Sequence, residues 1–308
     1  MLILYLQLIL MIVMWSFSFV IVDIAVEIIP PLSVALYRFL VVSATFLMID
    51  LYIKLRRKKS VNDDFMPSQE NKFSKNDWIF IILASFTGVS IFFLAQYTSI
   101  DIIGPSLPAL FVCLLAPIII TLLALIFFNE KLDTVKILGF IIATFGGFLL
   151  ITGGDLETLA PESPNYFGYI LALLTPFLWA FYSTITKKIT QGNSSIKMLK
   201  FIAYFGTLEL ILLVLINNEF LIFISNLFNI LLFLCALYIG IGCYIIGYYI
   251  WQNSQLKLKS SKAASFLYVE PFLTILFSTL LERTETVMVW NVIGGIIVLL
   301  AVLIINYK

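Results

Sequence analysis

An acid and a proline sit side by side in LYVEPFLTILFSTLL (residues 267–281), a run otherwise apolar enough for lipid. An ionisable group there is costly, and Pro271 removes a backbone hydrogen bond and frees the carbonyl of Leu267, four residues earlier. A freed carbonyl at membrane depth must face protein or a water-filled cavity. Glu270 is therefore a candidate to bind a substrate ammonium group or to exchange a proton. Pro117, in CLLAPIIITLL (113–123), repeats the arrangement half a chain earlier and frees the carbonyl of Cys113. Pro117 and Pro271 mark helix breaks in two helices that should line a centre. Glu209, in TLELILLVLI, is a second acid in apolar surroundings and a second candidate for proton coupling. Arg38 is expected to snorkel outward or to pair with Asp23, Glu27 or Asp101.

Polar and aromatic side chains fall on helical stripes around these groups. Thr175, Trp179, Tyr182, Ser183 and Thr186 share one face of a helix, which a span has no reason to turn to lipid. Tyr244, Tyr248, Trp251, Gln252 and Gln255 form another stripe, and Gln96 and Ser99 lie one turn apart on a third helix. Trp251 and Tyr97 are assigned to interfacial aromatic belts. The candidate substrate-binding set is Trp15, Gln96, Thr175, Trp179, Tyr182, Tyr244, Tyr248, Tyr268 and Glu270. Such walls suit a neutral or cationic small solute: a zwitterionic amino acid, or a quaternary amine held by cation–π contact. Sugar phosphates and nucleotides fit poorly, because no deep Arg or Lys pair is expected. Small residues at four-residue spacing, Ala84 with Gly88 and Cys243 with Gly247, should let helices approach closely.

The elements that position these residues follow from composition. The chain has 308 residues, 61% hydrophobic and 12% charged, against about 45–50% apolar in soluble domains. It reads as an all-α membrane protein. With no histidine, and with its three cysteines in apolar runs without a CxxC, no catalytic set, metal site or cofactor is expected, and no enzyme. No nucleic-acid partner is expected either; the partners are a small-molecule substrate and the bilayer. Ten apolar stretches are long enough to span: about 2–22, 31–53, 78–98, 104–128, 135–152, 167–187, 199–216, 229–251, 261–281 and 288–306. The first is too long, and lacks the basic leader, for a signal peptide. With both termini in the cytoplasm, all of the 19 Lys and Arg except Arg38 and Arg283 fall on the inner side. Asp155, Glu157 and Glu162 then lie outside. Residues 54–77 form the one sizeable cytoplasmic loop.

The chain also repeats itself. Trp15 matches Trp179 at an offset of 164, GVSIFFLAQYTS (88–99) matches GCYIIGYYIWQN (242–253) at 154, and Pro117 matches Pro271 at the same 154. Glu130 precedes Gly139 as Glu285 precedes Gly294. Residues 1–152 and 153–308 thus read as two five-helix units, and an odd helix number makes the repeat inverted, as in many transporters. The duplicated Trp, the Arg38 after Pro30 and Pro31, the Leu-x-Pro-(apolar)-Glu-x-(apolar)-Gly pattern and the late glycines resemble the drug/metabolite transporter superfamily, specifically its EamA-type ten-helix members. That resemblance covers nearly the whole chain outside 54–77. It implies a ten-helix bundle in the cell membrane that carries small metabolites, often amino acids, out of bacterial or archaeal cells. The Glu-Pro pair is widespread in that family. Many of its members carry a Lys at the end of the first helix, where this chain has Asp23, while Lys187 fills the matching place in the second half. The expected activity is secondary transport by alternating access with proton coupling at Glu270 or Glu209. The alternatives are a quaternary amine or drug transporter of the same fold, a channel, or a lipid scramblase.

Overall fold

The computed structural model describes residues 2–59, 73–129, 133–154, 165–283 and 289–306. Glu130, Glu285, Asp155, Glu157, Glu162 and most of the 54–77 loop lie outside the described residues. Those described are helical throughout, apart from short turns, and include no strand. Among the described residues, eight helices are long and apolar enough to cross a membrane: α1 (Leu2–Val26), α2 (Pro31–Lys59, apolar to Arg56), α3 (Lys75–Ile103), α4 (Ser106–Phe127), α6 (Tyr166–Thr190), α7 (Ser195–Ile216), α8 (Ile230–Lys257) and α9 (Ser260–Leu280). The fifth and tenth expected spans are helices too, α5 (Thr134–Thr152) and α10 (Val289–Asn306), with the shorter apolar stretches Ile137–Leu149 and Val292–Ala301. At about 1.5 Å per residue, the 22-residue α4 is about 33 Å long, the thickness of a hydrocarbon core.

Two boundaries differ from the sequence reading. α2 continues through the basic residues 54–59, because Lys and Arg are good helix formers. α3 begins at Lys75, where the Ser74 side chain accepts the Asp77 N–H and the Asp77 carboxylate accepts the Ser74 N–H, a capping box. The polar insertion between the helices is thus shorter than expected. A short helix, Phe220–Ser225, also intervenes between α7 and α8. It is tied to the start of α2, where Ser33 donates to Glu219 at 2.9 Å and Tyr37 donates to the Leu227 carbonyl at 2.5 Å.

The helix interiors depart from α geometry where packing or proline demands it. α3 takes a π turn over Phe86–Ser90, α8 is π-helical over Tyr238–Tyr248, and α9 passes through a 3₁₀ turn, Ser265–Val269, before restarting at Glu270 with Pro271 in its first turn. Pro176 in α6 frees the carbonyl of Ala172, and the Thr175 hydroxyl donates to it at 2.7 Å.

Glycines set the close contacts. A Cβ on Gly88 would stand 2.0 Å from the Tyr182 ring, and one on Gly247 2.5 Å from Trp15 Nε1, so the small-residue spacings do mark helix approaches. α5 and α10 meet as closely, since a Cβ on Gly146 would lie 2.8 Å from the Gly294 carbonyl. Most buried apolar side chains form one cluster, and a smaller one joins α4, α5, α9 and α10 around Tyr268. The outer surface is apolar: Leu208, Leu212 and Leu215 are exposed along one face of α7, as are Ile141 and Phe145 on α5. Exposed apolar stripes of this length belong against acyl chains.

A candidate substrate cavity between the helix bundles

α1, α2, α3, α4, α6, α8 and α9 converge on a cavity of about 430 Å³, counting its open mouth. One wall is aromatic. The rings of Trp15 and Trp179 meet edge to face with centroids 5.3 Å apart, and Tyr248 stands 5.5 Å from the first and 5.3 Å from the second. Trp15 is fixed by its Nε1, which donates to the Cys243 carbonyl in the π-helical part of α8 at 3.0 Å. Phe92, Phe93 and Gln96 of α3 face the same space, with Ser18 and Phe19 of α1 and Val112 and Cys113 of α4. The basic and the acidic side chain on the cavity are Arg38 and Glu270.

Glu270 is 3% exposed and sits where α9 restarts after its 3₁₀ turn, with the Cys113 thiol donating to Oε2 at 3.2 Å. The two proline helices meet here. Pro117 frees the carbonyl of Cys113, whereas the carbonyl of Leu267, which Pro271 cannot serve, accepts the Glu270 N–H in the 3₁₀ turn; Cys113 and Leu267 both line the cavity.

Arg38 overturns the reading made from its sequence position. It neither snorkels outward nor pairs with Asp23, Glu27 or Asp101. It is 4% exposed, its Nη1 donates to the Tyr97 hydroxyl at 2.7 Å, and its guanidinium lies 4.3 Å from the centre of the Phe93 ring. Asp23 and Glu27 are taken instead by Arg283, through Nε at 2.6 Å and Nη2 at 2.5 Å. The cavity therefore does contain a deep cation. Tyr97 and Trp251 are not belt residues, being 1% and 0% exposed; Trp251 donates to the Ser183 hydroxyl at 3.2 Å. Each is buried because a partner from another helix satisfies its polar atom, which helix depth alone does not reveal.

Of the candidate binding set, Trp15, Gln96, Trp179, Tyr248 and Glu270 line the cavity. Tyr182 and Tyr244 stand one layer behind it. Tyr182 stacks under Trp179 at 5.3 Å, and Tyr244 packs against Tyr248 at 4.6 Å while donating to the Leu199 carbonyl. Thr175 is occupied with the carbonyl left by Pro176, and Tyr268 is buried in the second cluster between α4, α5 and α10. Glu209 is off the cavity, at the α3–α7 contact, where Ser85 donates to it at 2.7 Å and Ser90 donates to its other oxygen. Ser85 precedes the π turn of α3 and Ser90 is its last residue. Arg38 had a sequence signal, an ionisable residue inside a span. Phe92, Phe93 and Gln96 had one in their shared helical face. Among the described residues no three His, Cys, Asp or Glu side chains converge as metal ligands.

The profile of the EamA-like transporter family matches the chain twice, at residues 2–152 and 166–307. An uncharacterized transporter of Archaeoglobus fulgidus is 24% identical over 307 residues, spanning 99% of this chain and 97% of its own. The uncharacterized transporter YyaM of Bacillus subtilis is 24% identical over 274 residues, with 89% and 83% covered. A crystal structure described only as that of a protein has the same fold, with a TM-score of 0.65, 16% identity, and coverage of 99% of this chain and 97% of that one. With matches over both halves of an all-helical, multi-pass membrane protein, the chain belongs to the EamA-like transporter family.

Proposed function

We propose that the protein is a secondary transporter that exports a small amino-bearing metabolite, an amino acid or a close relative, by alternating access around the central cavity. The observation that carries this reading is the pairing of Trp15 with Trp179 at 5.3 Å. These residues match at the repeat offset of 164, and a second pair at that offset, Ser43 and Thr207, share a hydrogen bond of 2.8 Å. Residues related by a two-fold axis touch each other only on the axis. Both contacts therefore support two units, 1–152 and 153–308, of five crossings each, related by an axis through the cavity wall. The two family matches, at 2–152 and 166–307, support that division. On this reading the units rock about the cavity, in a cell membrane, with both termini in the cytoplasm. The Lys and Arg distribution supports that orientation.

Glu270 is the better placed of the two acids for proton coupling, because it faces the space that alternates between the two sides. Glu209 is held by serines between helices. The aromatic walls also favour a second reading, transport of a quaternary amine by cation–π contact with Trp15, Trp179 and Tyr248. Uptake into proteoliposomes tests both. We expect saturable counterflow of amino acids, and an imposed pH gradient that accelerates the wild type and Glu209→Gln but leaves Glu270→Gln unaffected. Equal gradient dependence in all three proteins rejects the coupling assignment. Flux that does not saturate, or passage of labelled lipid instead of solute, rejects the carrier in favour of a channel or a scramblase.

A further inference from the structure

Arg38 is a buried cation without an anion. Among the described residues no carboxylate lies within the 4.0 Å of an ion pair, and its Nε has no hydrogen-bond partner at all. Of the five guanidinium donors, one is used among the described residues, toward Tyr97. The Phe93 ring at 4.3 Å holds the plane in place but neutralises little charge. A buried charge left unpaired is strongly unfavourable, so an ionisable residue at this depth marks a functional site whose partner must be found. Glu270 is the acid that lines the same cavity, yet the two do not pair. The cavity thus presents a fork of donors on α2 and an acceptor on α9, with aromatic rings in the same lining.

We propose that Arg38 is the anion anchor of the cavity and receives the carboxylate of a zwitterionic substrate whose ammonium group faces Glu270. This deepens the transporter reading and rests on it. A guanidinium matches a carboxylate in a planar, bidentate fashion and repels a permanent cation, so the geometry selects amino carboxylates over quaternary amines. Tyr97, which is not on the cavity wall, acts on substrate only through Arg38, by fixing its direction.

The test uses matched probes on the purified full-length protein: leucine, phenylalanine and methionine, each beside the amine lacking its carboxylate and the acid lacking its ammonium group. Competition against counterflow and ligand-induced thermal shift both report affinity. In the wild type at least one amino acid should bind ~10–100-fold more tightly than its amine, the size of a lost charged hydrogen bond. Arg38→Gln should erase that ratio by weakening the amino acid while leaving the amine within about threefold, and Arg38→Lys should restore part of it. Glu270→Gln should do the converse, erasing the preference over the deamino acid. Arg38→Gln weakening amino acid and amine alike, with the ratio kept, would mean that Arg38 only packs Tyr97, and overturns the anchor while the transporter stands. Wild-type protein that binds the amines as tightly as the amino acids also overturns the anchor alone. Failure of every probe, amines included, to bind or to exchange overturns both readings together.

Discussion

Gly88 makes the sharpest demand on the packing behind the cavity. A Cβ there would lie 2.0 Å from Tyr182 Cδ2 and 2.4 Å from Cγ. Carbon atoms pack at about 3.5–4.0 Å, so Gly88→Ala must move the ring by about 1.5 Å. Nothing in the surroundings yields easily. Tyr182 is fully buried, stacked on Trp179 at 5.3 Å and set against Tyr248 at 5.6 Å, and the clash falls on the root of the ring instead of a flexible tip. Overpacking of this kind costs about 1–3 kcal/mol, which at about 2 °C per kcal/mol for a long chain is a fall in Tm of ~2–6 °C. Gly192→Ala is the control, because nothing lies within 4 Å of its Cβ, and it should hold or slightly raise Tm. In a Tyr182→Ala background the ring is gone, and adding Gly88→Ala should cost little, a coupling of about 1–3 kcal/mol between the two sites. Thermal unfolding of the detergent-purified variants reads all four. A Gly88→Ala protein as stable as the wild type, or an equal loss in the Tyr182→Ala background, refutes the contact and with it the placement of Tyr182 behind Trp179.

Three further outcomes follow from single interactions. Thr175→Val removes the hydroxyl that satisfies the carbonyl freed by Pro176, and should lower stability by ~1–2 kcal/mol while leaving the ranking of transported solutes unchanged; Thr175→Ser should recover the stability. Glu209→Leu strands the hydroxyl of Ser90 at the α3–α7 contact, while that of Ser85 keeps the Ile82 carbonyl as acceptor, and should cost ~1–3 kcal/mol in thermal unfolding, with Glu209→Gln closer to the wild type. Arg283→Gln breaks the bridges to Asp23 and Glu27, but the side chains are 21%, 15% and 62% exposed, so the loss should stay near 1 kcal/mol and shrink between low and high salt; a loss that salt leaves unchanged contradicts an ionic origin.

Much of the fold was readable from periodicity, and half of the site was not. An apolar run of about 20 residues announces a span whatever surrounds it, which is why eight long helices and two shorter ones fall where expected. A polar stripe announces only that a helix face avoids lipid. It does not say whether that face meets a cavity or another helix. Trp179 and Tyr182 share one stripe, and the difference between them is set on α3, where the absent side chain of Gly88 admits the Tyr182 ring. Thr175 belongs to the same stripe for the sake of its own backbone. Arg38 was misread for the same reason: snorkelling is judged along one helix, whereas its acceptor, Tyr97, and its stacking partner, Phe93, come from another. The π turns at Phe86–Ser90 and Tyr238–Tyr248 have no residue signature, being products of the contacts around them.

The proposed repeat gives the two kinds of contact different work. A pair that straddles the axis, such as Trp15 with Trp179 or Ser43 with Thr207, maps onto itself when the units exchange conformations, so it can persist in both access states and serve as a pivot. Contacts off the axis cannot persist in this way, because each is exchanged for its counterpart at the opposite end. Here the counterparts differ in chemistry. Asp23, at the end of α1, is held by the Arg283 ion pair, whereas Lys187, the residue 164 positions on, donates to the Ser260 hydroxyl at 2.6 Å and lies 4.4 Å from the Phe128 ring centre. The first tie is ionic and near the surface, and the second is buried and includes a cation–π contact. On the proposed repeat, inversion therefore relates two ties of unequal strength and unequal response to salt, so the two ends of the protein are not equivalent in energy.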